Sequence, residues 1–565
     1  MTTPLKLKSE RIGKVKLTSD RPFLSVLVDT GVFHLSDEYT YSLPEKFDVE
    51  PGDWVSVPFN GRNCLGLVTE RKNKNEISKV SPINRSAKGP FIGSQHLTFY
   101  RAVASRWAVP IFDVLRFVTK HRNPARPYVG KTSVGERIYL QLNPSQNEIA
   151  AITEIGLKSA KRGRTLVIVP ELRLANALQN SHFEVAMRGS ILSPESYEFL
   201  IVVREDSEHH YELKSPGFNT RDVALLRNEW LGENVLFLGY SPSLEMLRLI
   251  ESNFVKYKSG SGKVAVIAKP SQQGELIPSS LVKVFKENLR RGSVLVIAPS
   301  KGYGLAISCA SCRNLAKCDC GGKLSKSSRN ALPACVLCVK PFENWSCQYC
   351  NNKKIYLLGR GIERIAEDFG RSFANTPIHI STAEKIIEDE VPNHSIILAT
   401  IGSVPNIKYE AVLFLEGLNQ SADMRSEERF LSTIFRYTAA TGGNAIIVER
   451  AEHPAVNSLI KWNPLPYLSR LLTEYREANL PPSTRHILLK SDVNERVYSG
   501  LQSALREKRL PPQTRIHNIG DGVISIFFPI KHAKETINFI YEYQRRRSMS
   551  GKSLLKVRID PYLLG

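Results

Sequence analysis

The sequence predicts a multidomain α/β protein with two parallel-sheet lobes, an N-terminal β-rich domain, an inserted cysteine-rich module and a C-terminal α+β domain. Apolar runs typical of strands buried on both faces alternate with helical stretches between residues 164 and 448. Eight of the nine cysteines fall within residues 309–350, inside the second set of these runs. A chain of 565 residues, at about 100–200 residues per domain, accommodates about three to five domains.

Residues 1–97 are predicted to form the β-rich domain, and residues 98–128 a short helical segment and linker. The predicted strands of the β-rich domain cover residues 23–28, 39–44, 54–59 and 64–68. The helical segment has apolar residues at helical spacing, and Pro110 should interrupt it because proline removes a helical hydrogen bond. A stretch that contains proline and arginine at residues 121–126 marks the linker.

The two lobes are predicted at residues 129–260 and at residues 261–304 together with 352–470. Strands of the first lobe are expected at residues 164–170, 199–203 and 234–239. Strands of the second lobe are expected at residues 264–267, 293–298, 396–399, 411–415 and 445–448. The C-terminal domain, residues 471–565, is predicted to contain strands at 486–489, 523–528 and 557–560 and a helix over 533–547.

The charge balance points to a polyanionic partner. Lys and Arg number 77 against 55 Asp and Glu, a net charge of +22, and they are spread along the chain. Nucleic acid is the simplest such partner, because each neutralised phosphate releases counterions, and solubility alone is the alternative. The composition, 42% apolar and 23% charged, excludes collagen, wholesale disorder and a small disulfide-stapled toxin. No apolar run long enough for a membrane span and no signal-peptide core are present, so we expect a cytoplasmic protein without a membrane partner.

The cysteine spacing predicts a zinc-binding module over residues 305–351. Three pairs are C-x-x-C (309/312, 335/338 and 347/350) and the fourth, 318/320, is C-x-C. Eight thiolates supply two tetrahedral four-ligand sites, so we expect two Zn²⁺ ions per chain and a structural role. Disulfides suit a cytoplasmic chain poorly, and an iron–sulfur cluster is a further alternative. Cys64 lies alone in a strand-like run and is expected to be a packed core thiol.

Short motifs in a shared order extend over nearly the whole chain. They lie at residues 39–44, 51–59, 220–224, 241–245, 359–364, 423–429, 480–482 and 557–561. Residues 359–364 (GRGIER) are similar to G-x-G-T-E-R, and residues 423–429 (DMRSEER) are similar to D-F-R-A-S-E-R. With the cysteine module inside the second lobe, this order resembles the PriA family of replication restart proteins, also called primosomal protein N′.

The resemblance implies RecA-like lobes, an N-terminal domain that binds 3′ DNA ends, a partial winged-helix-like segment at 98–128 and a DNA-binding C-terminal domain. It also implies how the cysteines divide between the two zinc ions. The first zinc would be held by Cys309, Cys312, Cys347 and Cys350, and the second by Cys318, Cys320, Cys335 and Cys338. The sequence departs from the family at the 318/320 pair, which is normally C-x-x-C.

Members of the family are usually ATP-driven DNA helicases, but three elements of the ATP site are degenerate in this sequence. The phosphate-binding loop should lie at residues 143–148 (NPSQNE), which lack glycine and carry Gln146 and Asn147 in place of Lys and Thr. Arg204 replaces the Mg²⁺-binding Asp of V-V-D-E-E-H. Residues 435–443 lack the paired arginines of Q-V-A-G-R-A-G-R. We therefore predict no ATP-binding or catalytic residues and a scaffold role for the lobes, and enzymatic activity is left open.

Two alternatives to the loss of the ATP site remain. Glu205 and Asp206 still follow the predicted strand and offer a shifted metal site. Residues 130–132 (GKT) form a partial phosphate-loop motif, for which a polar loop is the alternative interpretation. Nearby, His209 and His210 have no matching ligand partner in the sequence and are expected in a solvated loop.

The resemblance also indicates DNA-binding residues at the two ends of the chain. Tyr39 and Tyr41 offer aromatic faces on which a terminal base can stack, and sheet packing is the alternative. The family usually has F-D-Y here, and Thr40 replaces the Asp that helps bind the terminal nucleotide. A further set, Arg545, Arg546 and Arg547, ends the last predicted helix and offers phosphate contacts or, alternatively, a solvated helix end.

The sequence supports three functional hypotheses. The first is a restart protein that binds forked or branched DNA, 3′ ends and single-stranded DNA and promotes primosome assembly and loading of the replicative helicase without helicase activity of its own. Its partners would be primosome proteins, the replicative helicase or its loader, and single-strand-binding protein. The second hypothesis is an active ATP-dependent 3′-to-5′ helicase, and the third is a general zinc-containing DNA-binding protein.

Overall fold

The structure of the chain is a computed structural model. It describes residues 16–74, 80–120, 134–179, 182–271, 275–298, 306–312, 314–319, 322–336, 338–358, 361–387, 391–416, 418, 424–520 and 522–562. The chain is a multidomain α/β protein with two parallel-sheet lobes, an antiparallel N-terminal domain and clustered cysteines, which confirms the predicted fold class.

The N-terminal domain is a five-stranded antiparallel sheet of strand order β2-β1-β4-β3-β5. Its strands are β1 (Phe23–Val28), β2 (Glu38–Ser42), β3 (Trp54–Phe59), β4 (Arg62–Lys72) and β5 (Arg85–Ala87), with a 3-10 turn at Phe33–Leu35. Side chains alternate across the sheet, so Val26 enters the domain's own core while Leu27 faces the helices that follow.

Two helices connect this sheet to the first lobe: α1 (Ser94–Arg106) and α2 (Ile111–Val118). The predicted break falls at Pro110, which is the N-cap residue of α2. Tyr100 of α1 is buried and its hydroxyl donates to the Leu192 carbonyl oxygen at 3.0 Å. The helices therefore fill the space between the N-terminal sheet and the first lobe, and they share one apolar core with both.

The first lobe is a six-stranded, wholly parallel sheet of strand order β11-β6-β10-β9-β7-β8. Its elements are β6 (Arg137–Gln141), α3 (Glu148–Ala160), β7 (Thr165–Ile168), α4 (Leu172–Ala177), β8 (Glu184–Ala186), β9 (Phe199–Val203), α5 (Thr220–Leu231), β10 (Asn234–Gly239), α6 (Leu244–Glu251) and β11 (Lys256–Lys258), with 3-10 turns at Arg188–Leu192 and Glu208–His210. The central strands are buried on both faces, as the continuous apolar runs predict.

The second lobe is also six-stranded and wholly parallel, of strand order β12-β21-β20-β13-β19-β18, and the cysteine module enters after β13. In chain order the elements are β12 (Ala265–Ala268), α7 (Ser279–Arg291), β13 (Val294–Ala298), β14 (Ala306–Cys309), β15 (Leu324–Ser325), β16 (Ala334–Cys335), β17 (Ile355–Leu358), α8 (Ile362–Ser372), β18 (Ile378–Ser381), β19 (Ile396–Thr400), β20 (Ala411–Phe414), α9 (Ser426–Ala439), β21 (Asn444–Ile447), α10 (Pro454–Ile460) and α11 (Leu465–Glu477). In the module, β14 pairs antiparallel with β17, and β15 with β16.

The C-terminal domain is a four-stranded antiparallel sheet of strand order β23-β24-β22-β25 with two helices. Its elements are β22 (Thr484–Lys490), α12 (Asn494–Arg506), β23 (Arg515–Gly520), β24 (Val523–Pro529), α13 (Ala533–Met549) and β25 (Lys556–Ile559), with a 3-10 turn at Ile530–His532. The predicted helix over 533–547 is thus two residues longer at its end. Within the described part of the chain, no helix combines the length and the apolar character that a membrane crossing requires.

Candidate metal centres and the inter-lobe cleft

The first cysteine cluster forms where the antiparallel pairing of β14 with β17 brings two turns together. Cys309 ends β14 and Cys312 lies in the turn that follows, while Cys347 and Cys350 lie in the turn before β17. The four sulfur atoms lie within 4.8 Å of one another, with Cys309 and Cys350 Sγ atoms 3.4 Å apart and those of Cys312 and Cys347 3.5 Å apart. This is the same set of four that the family resemblance implies for the first zinc.

Backbone amides and neighbouring thiols set the charge state of this cluster. A hydrogen bond from the backbone of Asn314 lowers the pKa of Cys312 to about 6. The Asn352 amide acts in the same direction on Cys350, but the Cys309 and Cys312 thiols outweigh it and raise the pKa of Cys350 to about 12. Four thiolates at this distance repel one another, and a divalent cation offsets that repulsion.

The second cluster contains three described cysteines, Cys318, Cys335 and Cys338, whose sulfur atoms also lie within 4.8 Å of one another. The Sγ atoms of Cys318 and Cys338 are 3.6 Å apart. The fourth predicted ligand, Cys320, lies outside the described residues. Cys64 lies apart in β4, half-buried against the N-terminal core. Thiolate-only sets of this kind are typical of closed structural zinc sites, and the donors fit that ion.

The core of the module is small. Among the described residues of the module, the buried apolar side chains outside the cysteines are few, and they are Ala306, Ile307, Ala316, Leu324 and Trp345. Such a core buries little apolar surface, so the hydrophobic contribution to the folding of this segment is small.

The position expected for a phosphate-binding loop has a different construction. Residues 143–148 connect β6 to α3, as a phosphate loop would, but Asn147 is the N-cap of α3 and its side chain accepts a hydrogen bond from the Ala150 amide at 3.1 Å. The side chain that replaces the motif's Thr therefore caps the helix. The GKT sequence at residues 130–132 lies outside the described residues.

Arg204 lies beside this loop, within reach of Glu148 at its end. It follows β9 with a left-handed φ of 52° and is buried, with 4% of its surface exposed. Its Nη1 donates to Glu171 Oε1 at 3.2 Å, and its Nε lies 3.3 Å from Glu148 Oε1. Arg436 of the second lobe approaches the same Glu171 oxygen at 3.9 Å. Burial alone would raise the pKa of Glu171, but the two arginines outweigh it and lower that pKa.

These side chains line a cleft of about 460 Å³ between the two lobes. An ATP site at this place would need a carboxylate free to bind Mg²⁺ and backbone amides free to bind phosphate. Here Glu148 and Glu171 face the Arg204 guanidinium instead, so both carboxylates are already paired with a cation of the protein.

The two acidic residues after Arg204 are bound to protein donors. Glu205 is fully buried and accepts hydrogen bonds from the Ser243 amide at 2.8 Å and the Arg221 guanidinium at 3.2 Å, and burial raises its pKa to about 7. Asp206 accepts from the Ser432 hydroxyl of the second lobe at 2.5 Å. These bonds place both carboxylates in structural roles and do not support the shifted metal site.

A chain of buried charges that sequence reasoning missed connects the lobes near this point. Arg425 pairs with Glu245 of the first lobe and with Glu428 at 3.1 Å, and it donates to the Tyr562 carbonyl oxygen at 2.6 Å. Arg221 lies 3.7 Å from the same Glu245. The only signal in the sequence was that Arg221 and Arg425 fall inside the motifs at residues 220–224 and 423–429.

The predicted DNA-binding residues of the two chain ends come together, but two of them are buried. Tyr41 is 5% exposed and donates to the Pro58 carbonyl oxygen at 3.1 Å, so its ring packs in the sheet and the prediction of a stacking surface is corrected. Arg547 is also buried, and its guanidinium donates to the Ser553 carbonyl oxygen at 2.7 Å, which removes it from the phosphate-contact set.

The other three predicted DNA-binding residues, Tyr39, Arg545 and Arg546, lie at the surface. Tyr39 is half-buried, with its ring edge-on to Phe59 at 4.9 Å. Arg545 lies 3.6 Å from Asp37, just before β2, and Arg546 is exposed. The end of α13 and the start of β2 thus form one continuous surface from opposite ends of the chain.

The expectation for the His209–His210 pair is wrong for one member. His210 is fully buried, and its Nε2 lies 2.8 Å from the Val203 carbonyl oxygen. Burial lowers its pKa to about 4. His209 is exposed as expected. The buried one was missed because the 3-10 turn that directs it inward has no apolar period in the sequence.

Comparisons with known proteins give one family. The model of the PriA 3′ DNA-binding domain matches residues 25–119, from β1 to the end of α2. A protein of Mycobacterium tuberculosis named "Probable replication restart protein PriA" is 25% identical over 86% of this chain and 88% of the relative. The protein of the same name from Mycobacterium leprae is 25% identical over 86% and 89%. The replication restart protein PriA of Rickettsia conorii is 19% identical over 85% and 89%.

Proposed function

We propose that the chain is a replication restart protein of the PriA family that binds stalled or branched fork DNA and promotes primosome assembly and loading of the replicative helicase without helicase activity of its own. The observation that supports the absence of helicase activity is the position of Arg204 between Glu148 and Glu171. A buried, permanently charged guanidinium excludes a metal ion from its own position, and it leaves neither carboxylate for Mg²⁺.

The DNA-binding half of the proposal is supported at the surface that joins the chain ends. Tyr39 supplies an aromatic face for a terminal base, and Arg545 and Arg546 supply cations for the phosphates beside it. The net charge of +22 adds a general attraction to DNA that weakens as salt concentration rises. The ligands are then forked or branched DNA, 3′ ends and single-stranded DNA.

We further propose two structural Zn²⁺ ions in the cysteine module, with Cys320 as the fourth ligand of the second. When bound, zinc would order the module as a surface for DNA or for partner proteins. These partners are primosome proteins, the replicative helicase or its loader, and single-strand-binding protein, all in the cytoplasm.

Fork binding and ATP hydrolysis, measured on the same purified chain, test this proposal. We expect a fork with a 3′ end to bind more tightly than plain duplex, and we expect no DNA-stimulated ATP hydrolysis. Arg546→Gln should weaken fork binding and reduce the salt slope by about 1, while Lys158→Gln on the exposed face of α3 should not.

Two results would replace the proposal. ATP turnover that disappears in Glu205→Gln would indicate an active helicase. Equal affinity for forks and plain duplex would indicate a general zinc-containing DNA-binding protein. For the metal, about two Zn²⁺ per chain are expected, and a content near zero or one rejects two four-cysteine sites.

A further inference from the structure

The inter-lobe cleft is crossed by polar bonds that need no ligand. Glu171 of the first lobe faces Arg436 of the second at 3.9 Å, and Asp206 accepts from Ser432 at 2.5 Å. On the same cleft wall, Arg173 donates to the Val404 carbonyl oxygen at 2.8 Å. Each of these bonds connects a residue of the first lobe with a residue of the second.

Arg204 is the centre of this arrangement. A left-handed φ is uncommon for arginine, and the backbone there is held by a hydrogen bond from the Arg204 amide to the Leu238 carbonyl oxygen at 2.6 Å. The side chain then reaches Glu148 and Glu171. The positive charge of Arg204 keeps Glu171 ionised and in place. Arg436, the second cation near Glu171, therefore has a fixed partner across the cleft.

An apolar core continues beneath the polar layer. Leu142 and Tyr240 of the first lobe belong to the same buried cluster as Phe435 and Trp462 of the second. The Trp462 indole donates to the Leu142 carbonyl oxygen at 2.9 Å, and Gln141 donates to the Trp462 carbonyl oxygen at 3.1 Å. The contact between the lobes is therefore packed as well as charged.

We propose that Arg204, Glu171 and Arg436 form a latch that holds the two lobes in one arrangement whether or not nucleotide is present. A bound nucleotide shifts a conformational equilibrium only while it is bound, and only if it prefers one arrangement. The latch belongs to the chain itself, so it acts continuously. The two lobes then serve as a rigid platform that keeps the N-terminal domain, the cysteine module and the C-terminal domain at fixed positions. This inference does not depend on DNA binding.

Hydrogen–deuterium exchange of the full-length chain tests the latch through a double-mutant cycle. The variants are Glu171→Gln, Arg436→Gln and the two combined, and the readout is amide exchange at residues 143–149 and 402–409 on opposite walls of the cleft. Arg436→Gln should speed exchange on both walls about tenfold, and Glu171→Gln should speed it more, because it also breaks the pair with Arg204. The combined variant should exchange little faster than Glu171→Gln, because that variant has already lost the pair across the cleft. Glu154→Gln, which breaks the exposed pair with Lys158 on α3, should change exchange less than twofold.

Several outcomes would overturn the latch. Single variants that stay within twofold of the wild type, or a combined variant whose effect equals the product of the two, would show that the pair is not coupled. Slower exchange of the wild type on adding Mg²⁺-ATP would show lobes that respond to nucleotide. Equal acceleration in β22 and β24 would show general destabilisation in place of cleft opening. Fork binding by the same samples reports separately on the proposed function.

Discussion

Acidic side chains converge at two places in this molecule, and the charge is balanced differently at each. In the cysteine module, four thiols meet within 4.8 Å and face one another. In the inter-lobe cleft, Glu148 and Glu171 converge on Arg204, whose guanidinium lies 3.3 Å from the first and 3.2 Å from the second. The first arrangement can hold an external cation, and the second contains a cation of the protein.

This difference separates a ligand-dependent site from a ligand-independent one. Thiolates that have only one another as neighbours become stable when a metal ion joins them, so metal and folding are linked. Carboxylates already paired with a buried arginine bind a metal ion less well, since arginine stays charged at any accessible pH and repels the ion. The same chain therefore combines cysteine clusters that can hold a metal ion with a cleft whose carboxylates are already paired within the protein.

The largest effect should follow from Cys347→Ser. Loss of one of four ligands should release the first metal ion, so that the metal content falls from about two to about one per chain, and residues 306–358 should become sensitive to protease. Structural zinc contributes about 10–16 kcal/mol of apparent binding free energy in modules that fold around it. Elemental analysis and limited proteolysis measure the two changes.

Cys64→Ser is the matched control, because Cys64 lies in β4 away from both clusters. Its metal content should equal that of the wild type. A Cys347→Ser variant with unchanged metal content would contradict the prediction that the first cysteine cluster holds a metal ion.

Arg204→Met tests the other half of the comparison, the ion pairs of the inter-lobe cleft. It leaves the half-buried Glu148 and Glu171 without their shared cation, and loss of hydrogen bonding to a charged group costs about 1.5–3 kcal/mol. Chemical denaturation measures the loss in the free energy of unfolding. Lys158→Met, which breaks an exposed pair, should change the free energy by less than about 0.5 kcal/mol. If both variants lost equally little, the cleft would not be held by its own cation.

The pH dependence of the free energy of unfolding tests the buried His210, which follows Arg204 in the chain. Its pKa is lowered by burial from 6.5 to about 4, so the folded state takes up its proton later than the unfolded state as pH falls. The stability that this group provides is therefore complete above pH 6.5 and is lost between pH 6.5 and 4. The slope is up to about 1.4 kcal/mol per pH unit.

His210→Gln retains a donor for the Val203 carbonyl oxygen but cannot take up a proton, so its free energy of unfolding should fall less steeply across the same window. Denaturation at several pH values measures both slopes. His96 and His486, whose pKa values are also lowered by burial, continue to contribute to the remaining acid sensitivity. Identical slopes for variant and wild type would place the proton uptake elsewhere.

The smallest effect on stability is expected for Arg545→Gln. Its ion pair with Asp37 is exposed, and such pairs contribute about 0–1 kcal/mol. Fork binding should nevertheless weaken, with a salt slope reduced by about 1, because a phosphate contact is lost. Arg547→Gln should show the opposite profile, a clear loss of stability with an unchanged salt slope, since its guanidinium is buried on Ser553. Matching profiles for the two variants would contradict the surface assigned to this helix end.

Much of the fold could be predicted because many of its strands correspond to local runs of apolar residues in the sequence. The strands that were predicted in the two lobes agree with the observed ones within one or two residues, and β9 and β13 are buried on both faces as their apolar runs indicate. The strands β6, β8, β11 and β18 were not predicted. Side-chain exposure was harder to predict. Tyr41 and Arg547 were expected at a DNA-facing surface, and both are buried by contacts with Pro58 and Ser553.

The sequence by itself determined the cysteine spacing, the residues at 143–148 without glycine or Lys, and an Arg at position 204, since each is a matter of residue type at a local position. Only the tertiary structure decided what these positions form. Glu148, Glu171 and Arg436 lie on three separate elements, and no local pattern records that they meet around Arg204. Parallel strands whose carboxyl ends share one edge bring such distant residues together, and packing of the lobes then fixes which charges face each other.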